Sequence, residues 1–528
     1  MTLSSPGTPL FRAASVLGML GLSLFVVDCI DMRSDVARKD AGPGAPGLEV
    51  TIDLAAVRAT VAPNHYGMHS SVYDNALHRD GLSELLNEAG IGLLRWPGGG
   101  YTDNYHWSNH TLTPFLDNPD EMRDPDLNPE PGYLADRSDF GSFVDVVERF
   151  GGKIMITVNY GTNLAGDGPG EPKEAAAWVA YANGDPADER VIGVDGSGND
   201  WQTVGYWASL RASEPEAEDD GVNFLRIAHP EPLGIEYWEV GNEVFGNGFH
   251  EPTSLGFEMD LHVPYANYPD PTVEDDPEDD SFGRFGNPLL SGEAYGSGVV
   301  SYIEEMKAVD PSIKVGAVLG TPPADTWMSR VPGHYWNDDV LGACGRDIDF
   351  GIVHWYPNPP SLSNQSDADQ NSIYRIAGLL TYPLTEMPKM VTRLRQSIDE
   401  QCGENAENVE LVMTEVGTGV RIPRRTNGLD LGQAMGMFAA DMYLTAAELG
   451  FVNVDWLELH NGTFLDEAMQ AKGPAFSGIQ MAHLLAGPGD RLVTATSSDP
   501  MLAVHASVRD DGRIGVLLVT RKLPTRAR

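Results

Sequence analysis

Two glutamates close apolar runs in which an ionised carboxylate is a costly choice. One run reads Tyr237-Trp238-Glu239-Val240-Gly241-Asn242-Glu243, the other Leu411-Val412-Met413-Thr414-Glu415-Val416-Gly417. A carboxylate leaving water needs a partner or a shifted pKa, so two such acids imply a reason for both. If the runs are strands of one parallel barrel, both glutamates stand at its carboxyl-terminal mouth, however far apart they lie in sequence. A carboxyl pair at such a mouth suits glycosidic cleavage. One member protonates the leaving oxygen while the other attacks the anomeric carbon, at a separation of about 5–5.5 Å in retaining enzymes. In that scheme the acid/base member of the pair needs a raised pKa so that it can return as a base in the second step. For either glutamate alone a salt-bridged or surface role is the simpler account; strand position favours catalysis.

Other strand ends add to the set. Leu94-Arg95-Trp96-Pro97-Gly98-Gly99-Gly100-Tyr101-Thr102-Asp103 brings Arg95, which could hold a carboxylate ionised in a fixed rotamer. A buried structural ion pair is its competing account. His354-Trp355-Tyr356-Pro357 brings His354 and Tyr356. They alternate along a strand, so at most one points straight into the mouth and the other reaches it from the loop; a satisfied core histidine competes for His354. Asn159, closing a third run before Tyr160-Gly161-Thr162, joins the supporting or substrate-binding set. Trp96, Tyr101, Trp107, Trp355 and Trp456 offer flat faces for sugar rings, with some of them plain core.

The elements that must position these residues follow from periodicity. Eight short β-favouring runs are expected near 65–73, 92–96, 153–159, 235–240, 314–319, 349–355, 409–414 and 453–459, alternating with helical stretches. Leu82, Leu85, Leu86 and Ala89 share one helical face. So do Phe140, Phe143, Val144 and Val147, and again Met387, Val391, Leu394 and Ile398. The alternation predicts an α/β fold, a (β/α)₈ TIM barrel over 63–487, in preference to an open sheet. A helix near 475–486 is followed by hairpin-like runs at 491–496, 501–508 and 513–520. With two strands at 49–54 and 57–61 they predict a small β-sandwich built from both ends of the chain, over 48–62 and 488–528, short of strands at its carboxyl end.

The chain has 528 residues, 41% of them hydrophobic, and a net charge of −42. Such a surface repels phosphate backbones and anionic headgroups, so nucleic acid is excluded as a partner. The acids gather at 120–130, 214–220 and 274–280, stretches expected to be solvated loops without the spacing of an EF-hand. Arg12, the apolar run Ala13–Val27 and a Pro/Gly-rich stretch to Gly47 read as a secretory signal over 1–29 and a linker over 30–47. The expected protein is therefore secreted, extracellular or periplasmic, and no run reaches the ~20 residues of a membrane span. Cys29 stands where a lipoprotein cysteine would, yet Asp28 fits that signal poorly, so lipid anchoring is the lesser alternative. Cys344 and Cys402 precede barrel strands six and seven. They are disulfide candidates in loops on one face of the barrel, with two unpaired thiols as the equal alternative. The sequence is silent on oligomeric state.

Arg95-Trp96-Pro97-Gly98-Gly99, Gly241-Asn242-Glu243, His354-Trp355-Tyr356 and Thr414-Glu415 together resemble the strand-end motifs of clan A glycoside hydrolases. Within that clan the chain is most similar to the α-L-arabinofuranosidase group, over roughly residues 50–520. Each motif alone is weak; their order carries the resemblance. It implies a retaining hydrolase of plant-type polysaccharide or oligosaccharide, with Glu243 as acid/base and Glu415 as nucleophile. Asn242 would bind the sugar 2-hydroxyl, Arg95, His354 and Tyr356 would support the nucleophile, and Trp456 would floor the sugar subsite. A carbohydrate is then the partner, and neither metal nor organic cofactor is called for. Members of that group have a fuller carboxyl-terminal sandwich than 488–528 can form. The alternatives are an endo-β-glycanase (endoglucanase or xylanase) on the same barrel, or a non-catalytic carbohydrate-binding protein, which would not need two strand-end acids. No Gly-x-Ser-x-Gly or His-Glu-x-x-His motif supports a serine hydrolase or a zincin. The Gly-x-Gly-x-x-Gly string at Gly42, Gly44 and Gly47 lies in the linker with no strand before it.

Overall fold

The structure is a computed structural model. It describes residues 2–4, 48–113, 133–246, 260–262, 288–322, 334–359, 368–418, 425–426, 429–460, 462–466 and 471–521. Apart from Thr2–Ser4, the expected leader and linker lie outside these residues, as do the acidic stretches at 120–130 and 274–280. The stretch at 214–220 is exposed, as expected.

Eight parallel strands close into a barrel in sequence order. They are Tyr66–His69, Leu93–Trp96, Lys153–Val158, Tyr237–Val240, Lys314–Val318, Phe350–Trp355, Glu410–Val416 and Phe451–Trp456, called strands one to eight below. Each coincides with one of the eight expected runs. The last closes on the first through Val454 opposite Tyr66 and Trp456 opposite Met68.

The helices form where the apolar spacing predicts. Phe140–Phe150 starts at Asp139, whose side chain accepts the Ser142 N–H, and stops at Gly151. Its buried face carries Phe140, Phe143, Val144 and Val147 onto the sheet, where Phe143 stacks on Trp96 with ring centroids 5.2 Å apart. Leu82–Ala89 and Met387–Gln401 bury Leu82, Leu86 and Ala89, and Met387, Val391, Leu394 and Ile398, respectively. This packing between strands and outer helices rigidly frames the mouth. No helix among the described residues is long and apolar enough to cross a membrane.

Outside the barrel, besides two short two-stranded ladders, the described residues form one five-stranded sheet, where a small, partial β-sandwich was expected. Residues 49–54 and 57–61 form a single strand, Val50–Thr60, with register shifts opposite Val493 where two strands had been anticipated. It pairs with Arg491–Ser497, and Leu502–Val508 and Ile514–Thr520 continue the sheet; Thr2–Ser4 lies along its other edge. A buried ionic cluster fixes the sheet to helix Leu431–Glu448. His505 meets Asp441 and Glu448, both at 2.9 Å, and Arg521 reaches Asp441 through two nitrogens.

Cys344 ends helix Trp336–Cys344, and Cys402 caps helix Met387–Gln401. Both are buried and not joined by a disulfide. The candidate disulfide is thus replaced by two free thiols, at helix ends and not in loops.

Candidate active site

Arg95 organises the mouth. It lies one residue before the end of strand two, wholly buried, and each guanidinium nitrogen has a carboxylate or amide partner. Nε donates to Oε2 of Glu239 at 2.8 Å, Nη1 to Oε1 of Glu415 at 2.9 Å, and Nη2 to Oδ1 of Asn242 at 2.9 Å. Burial alone would lower its pKa, but Glu239 and Glu415 outweigh that and keep it cationic. The partner of Arg95 that sequence reasoning missed is Glu239, four residues before Glu243 in the same motif. Its inward position on strand four was readable from strand alternation, but its pairing across to strand two was not.

Glu415 lies within strand seven and is 6% exposed. Arg95 holds one carboxylate oxygen, and the Tyr356 hydroxyl donates to the other at 2.5 Å. Burial would raise its pKa, but nearby positive charge outweighs burial and holds the carboxyl below the usual glutamate range. His69 is itself driven neutral by burial, down to about 3, so Arg95 and His354 supply that charge.

Glu243 lies just past strand four with φ 41°, a left-handed backbone in a non-glycine residue. Its Oε1 is 2.7 Å from Nδ1 of His354. His354 is brought there by an irregularity in the pairing of strands six and seven after Ile352, which sets it opposite Glu415. The other ring nitrogen meets the Thr414 hydroxyl at 3.1 Å. Burial lowers the imidazole pKa, but Glu415 and Glu243 together raise it above the ordinary value. His354 therefore bonds to Glu243 and, with Nδ1 3.5 Å from Glu415, also lends that carboxylate positive charge. Both His354 and Tyr356 reach the mouth, the first from the strand and the second from the loop after it.

One donor atom from each of Glu243, His354 and Glu415 falls within a 4.8 Å cluster. These are atom types a divalent cation accepts, but here they are engaged with one another and with Arg95 and Tyr356. The carboxylate spacing lies on the short side of the two-carboxyl geometries, far from the roughly 6.5–9.5 Å that leaves room for an inverting water.

Asn242 offers Oδ1 to Arg95, leaving its Nδ2 amide as the group it can present to a ligand. Two other expected contacts fall elsewhere. Asn159 folds back on the loop after strand three, accepting the Thr162 N–H and donating to Thr162 Oγ1 and the Tyr105 carbonyl, so its polar atoms serve the loop. Trp456 is 0% exposed, with its indole N–H on Thr463 and its ring against Phe438. It is core and does not floor a subsite.

A further carboxylate, besides Glu239, was not anticipated. Glu458, just beyond strand eight, accepts from Ser71 at 3.3 Å and Tyr73 at 3.2 Å. Arg95 Nη1 also donates to His69 Nδ1 at 2.9 Å, which fixes the imidazole proton on Nε2, 3.3 Å from Ser71 Oγ. An ordered chain therefore runs Arg95, His69, Ser71, Glu458. Burial, with Asp74 nearby, pushes Glu458 up to about 7. Close packing makes room for this chain: a Cβ on Gly98, at φ 93°, would fall 2.3 Å from the Ser70 carbonyl and 2.7 Å from His69 Nε2.

Fold and site together define a (β/α)₈ barrel with a closely spaced carboxylate pair at its carboxyl-terminal mouth. No family model matches the sequence. The chain is 29% identical over 176 residues, 33% of its length, to a probable α-L-arabinofuranosidase C of Aspergillus fumigatus, and spans only 26% of that protein's length. In fold it is similar to the α-L-arabinofuranosidase from Thermotoga maritima solved as an arabinose complex. That likeness has TM-score 0.58 and 18% identity, over 90% of this chain and 85% of that one. It is also similar to a family 44 endoglucanase from Clostridium thermocellum, with TM-score 0.53 and 17% identity, over 90% and 87%. The resemblance to the arabinofuranosidases of clan A, and the barrel it implied, are borne out by these likenesses.

Proposed function

We propose that the protein is a retaining glycoside hydrolase that releases α-L-arabinofuranosyl groups from plant-type oligosaccharide or polysaccharide. The observation that carries the reading is the carboxylate pair, Glu243 and Glu415, with oxygens within 4.8 Å of each other and unequal surroundings. Glu415 is held anionic by Arg95 and Tyr356, whereas Glu243, the more exposed of the two, shares a proton with the His354 imidazole 2.7 Å away. Environments that differ in this way divide the roles of nucleophile and acid.

In the first step a Glu415 oxygen attacks the anomeric carbon, the glycosidic C–O bond breaks, and Glu243 gives its proton to the departing oxygen. A glycosyl ester on Glu415 results. In the second step Glu243, now carboxylate, takes a proton from water while the water oxygen displaces Glu415. His354 supplies a proton reservoir 2.7 Å from Glu243, and the Nδ2 amide of Asn242 is available to the sugar 2-hydroxyl. The arabinofuranosyl specificity is supported by the sequence likeness to the Aspergillus protein. On the same reading the protein is exported, on the strength of Arg12 and the run Ala13–Val27.

Hydrolysis of a panel of aryl glycosides and polysaccharides tests the proposal. Release from the arabinofuranoside by wild type, and glycosyl azide formation by Glu243→Ala in added azide, are the expected results. Activity on internal β-linkages alone would reassign the enzyme as an endo-glycanase, and binding without turnover would leave a carbohydrate-binding protein.

A further inference from the structure

Regular backbone ends at Val240. Gly241 follows at φ 74°, Glu243 has φ 41°, and the intervening N–H of Asn242 points out of the strand ladder. That N–H donates to Oδ2 of Asp103 at 3.0 Å. The other oxygen of Asp103 accepts the N–H of Tyr160, just beyond strand three, also at 3.0 Å. The Asp103 main-chain carbonyl in turn accepts the Thr162 hydroxyl at 3.0 Å. One carboxylate from the loop after strand two thus gathers the segments leaving strands three and four.

Asp103 is 2% exposed. Burial pushes its carboxyl up to about 7, against the pull of the Asn242 and Tyr160 amides. Burying an acid to satisfy backbone amides is costly when a carbonyl or water would serve, which points to a need for the geometry it imposes. What it restrains is specific. The residue whose N–H it holds gives its side chain to Arg95, and the next residue is Glu243. A Cβ on Gly241 would lie 2.5 Å from Val244 and 3.4 Å from Asp103 Oδ1, so the segment has little room to relax otherwise.

We propose that Asp103 is a positioning residue for the acid/base step: by fixing the backbone of residues 241–243, it aims the Glu243 carboxyl at the leaving oxygen. The inference rests on the reading of Glu243 as acid/base. It predicts a loss concentrated in reactions that need protonation of the leaving group, because no hydrogen bond described joins Asp103 to Glu415, Arg95 or Tyr356, and its link to Arg95 is indirect, through Asn242.

The test compares methyl and dinitrophenyl α-L-arabinofuranosides, the first with a leaving group that must be protonated and the second with one that leaves readily as an anion. In Asp103→Ala and Asp103→Asn, kcat/KM on the methyl glycoside should fall about 100-fold, the cost of roughly an ångström of misalignment, and on the dinitrophenyl glycoside less than about fivefold. Thermal melting verifies folding, and the isosteric Asp103→Asn carries the test if Asp103→Ala does not fold. Equal losses on both substrates, or no loss on either, would overturn the proposal. Glu243→Ala separates it from the parent reading. If that variant has the leaving-group dependence and the Asp103 variants lack it, only the role of Asp103 fails; if Glu243→Ala lacks it too, Glu243 is not the acid/base and both fail.

Discussion

Nδ1 of His354 lies 2.7 Å from Glu243 Oε1 and 3.5 Å from Glu415 Oε2, so a single imidazole stands between the two carboxylates of the pair. The closer bond is to Glu243, so on the proposed reading His354 is a partner in proton delivery more than a prop for Glu415. Replacing it with Phe should lower kcat on substrates with poor leaving groups by about 10²-fold, within the range for general acid–base contributions. Steady-state kinetics on methyl and dinitrophenyl glycosides checks this; an equal loss on both would return His354 to the nucleophile.

Glu415→Gln removes the attacking oxygen but keeps the shape and the hydrogen-bonding capacity toward Arg95. Turnover should drop by on the order of 10⁴-fold or more, while arabinose affinity by calorimetry stays near that of wild type. Unchanged hydrolysis would show that another group is the nucleophile.

Arg95 serves Glu239, Glu415, Asn242 and His69 with a planar fork that lysine cannot reproduce. The folded-state pKa of Glu415 lies below its unfolded value. Its contribution to stability is therefore present above the ordinary glutamate pKa near 4.5 and lost as pH falls through the folded value. Wild type should accordingly keep its acid limb of kcat/KM below pH 4.5. Arg95→Lys should move that limb upward and cost about 3–5 kcal/mol in unfolding experiments, because Glu239 is left buried without its partner.

The ionic cluster beneath the outer sheet gives the opposite pH dependence. Burial would lower the His505 pKa, but Glu448 and Asp441 outweigh it and raise the group to about 9. A raised histidine pKa stabilises fully below the unfolded value of 6.5, and the effect is lost as pH rises through about 9. The melting temperature of wild type should therefore fall between pH 7 and 10, and His505→Gln should flatten that slope. An unaltered slope in the variant would assign it to other groups.

Cys344 and Cys402 are buried thiols, both raised by burial, Cys402 to about 11. Both should react slowly with a thiol reagent in the native protein and completely in denaturant without reductant. Failure of the pair to react until a reductant is added would establish the disulfide.

The eight strands, the helices between them and the two glutamates at strand ends were all legible in the sequence. Each rests on a local signal: an apolar run of strand length, a 3.6-residue periodicity, an acid where the run should stop. Strand ends also offered Arg95, His354 and Tyr356, and the resemblance of the ordered motifs added a role for Asn242. What local signals could not tell was which side chains meet, because the mouth is assembled from residues hundreds of positions apart. Glu239 across from Arg95, Glu458 at the end of the His69–Ser71 chain, and Asp103 beneath Asn242 became visible only when the barrel closed. Trp456 and Asn159 had the right residue types at the right strand ends, yet packing against Phe438 and folding back on Thr162 removed them from the mouth. Residue type and spacing thus determined the fold and the catalytic candidates, whereas the surroundings that set Glu243 and Glu415 apart were decided by tertiary structure, because a carboxyl's behaviour depends on the charges and donors that distant strands bring against it.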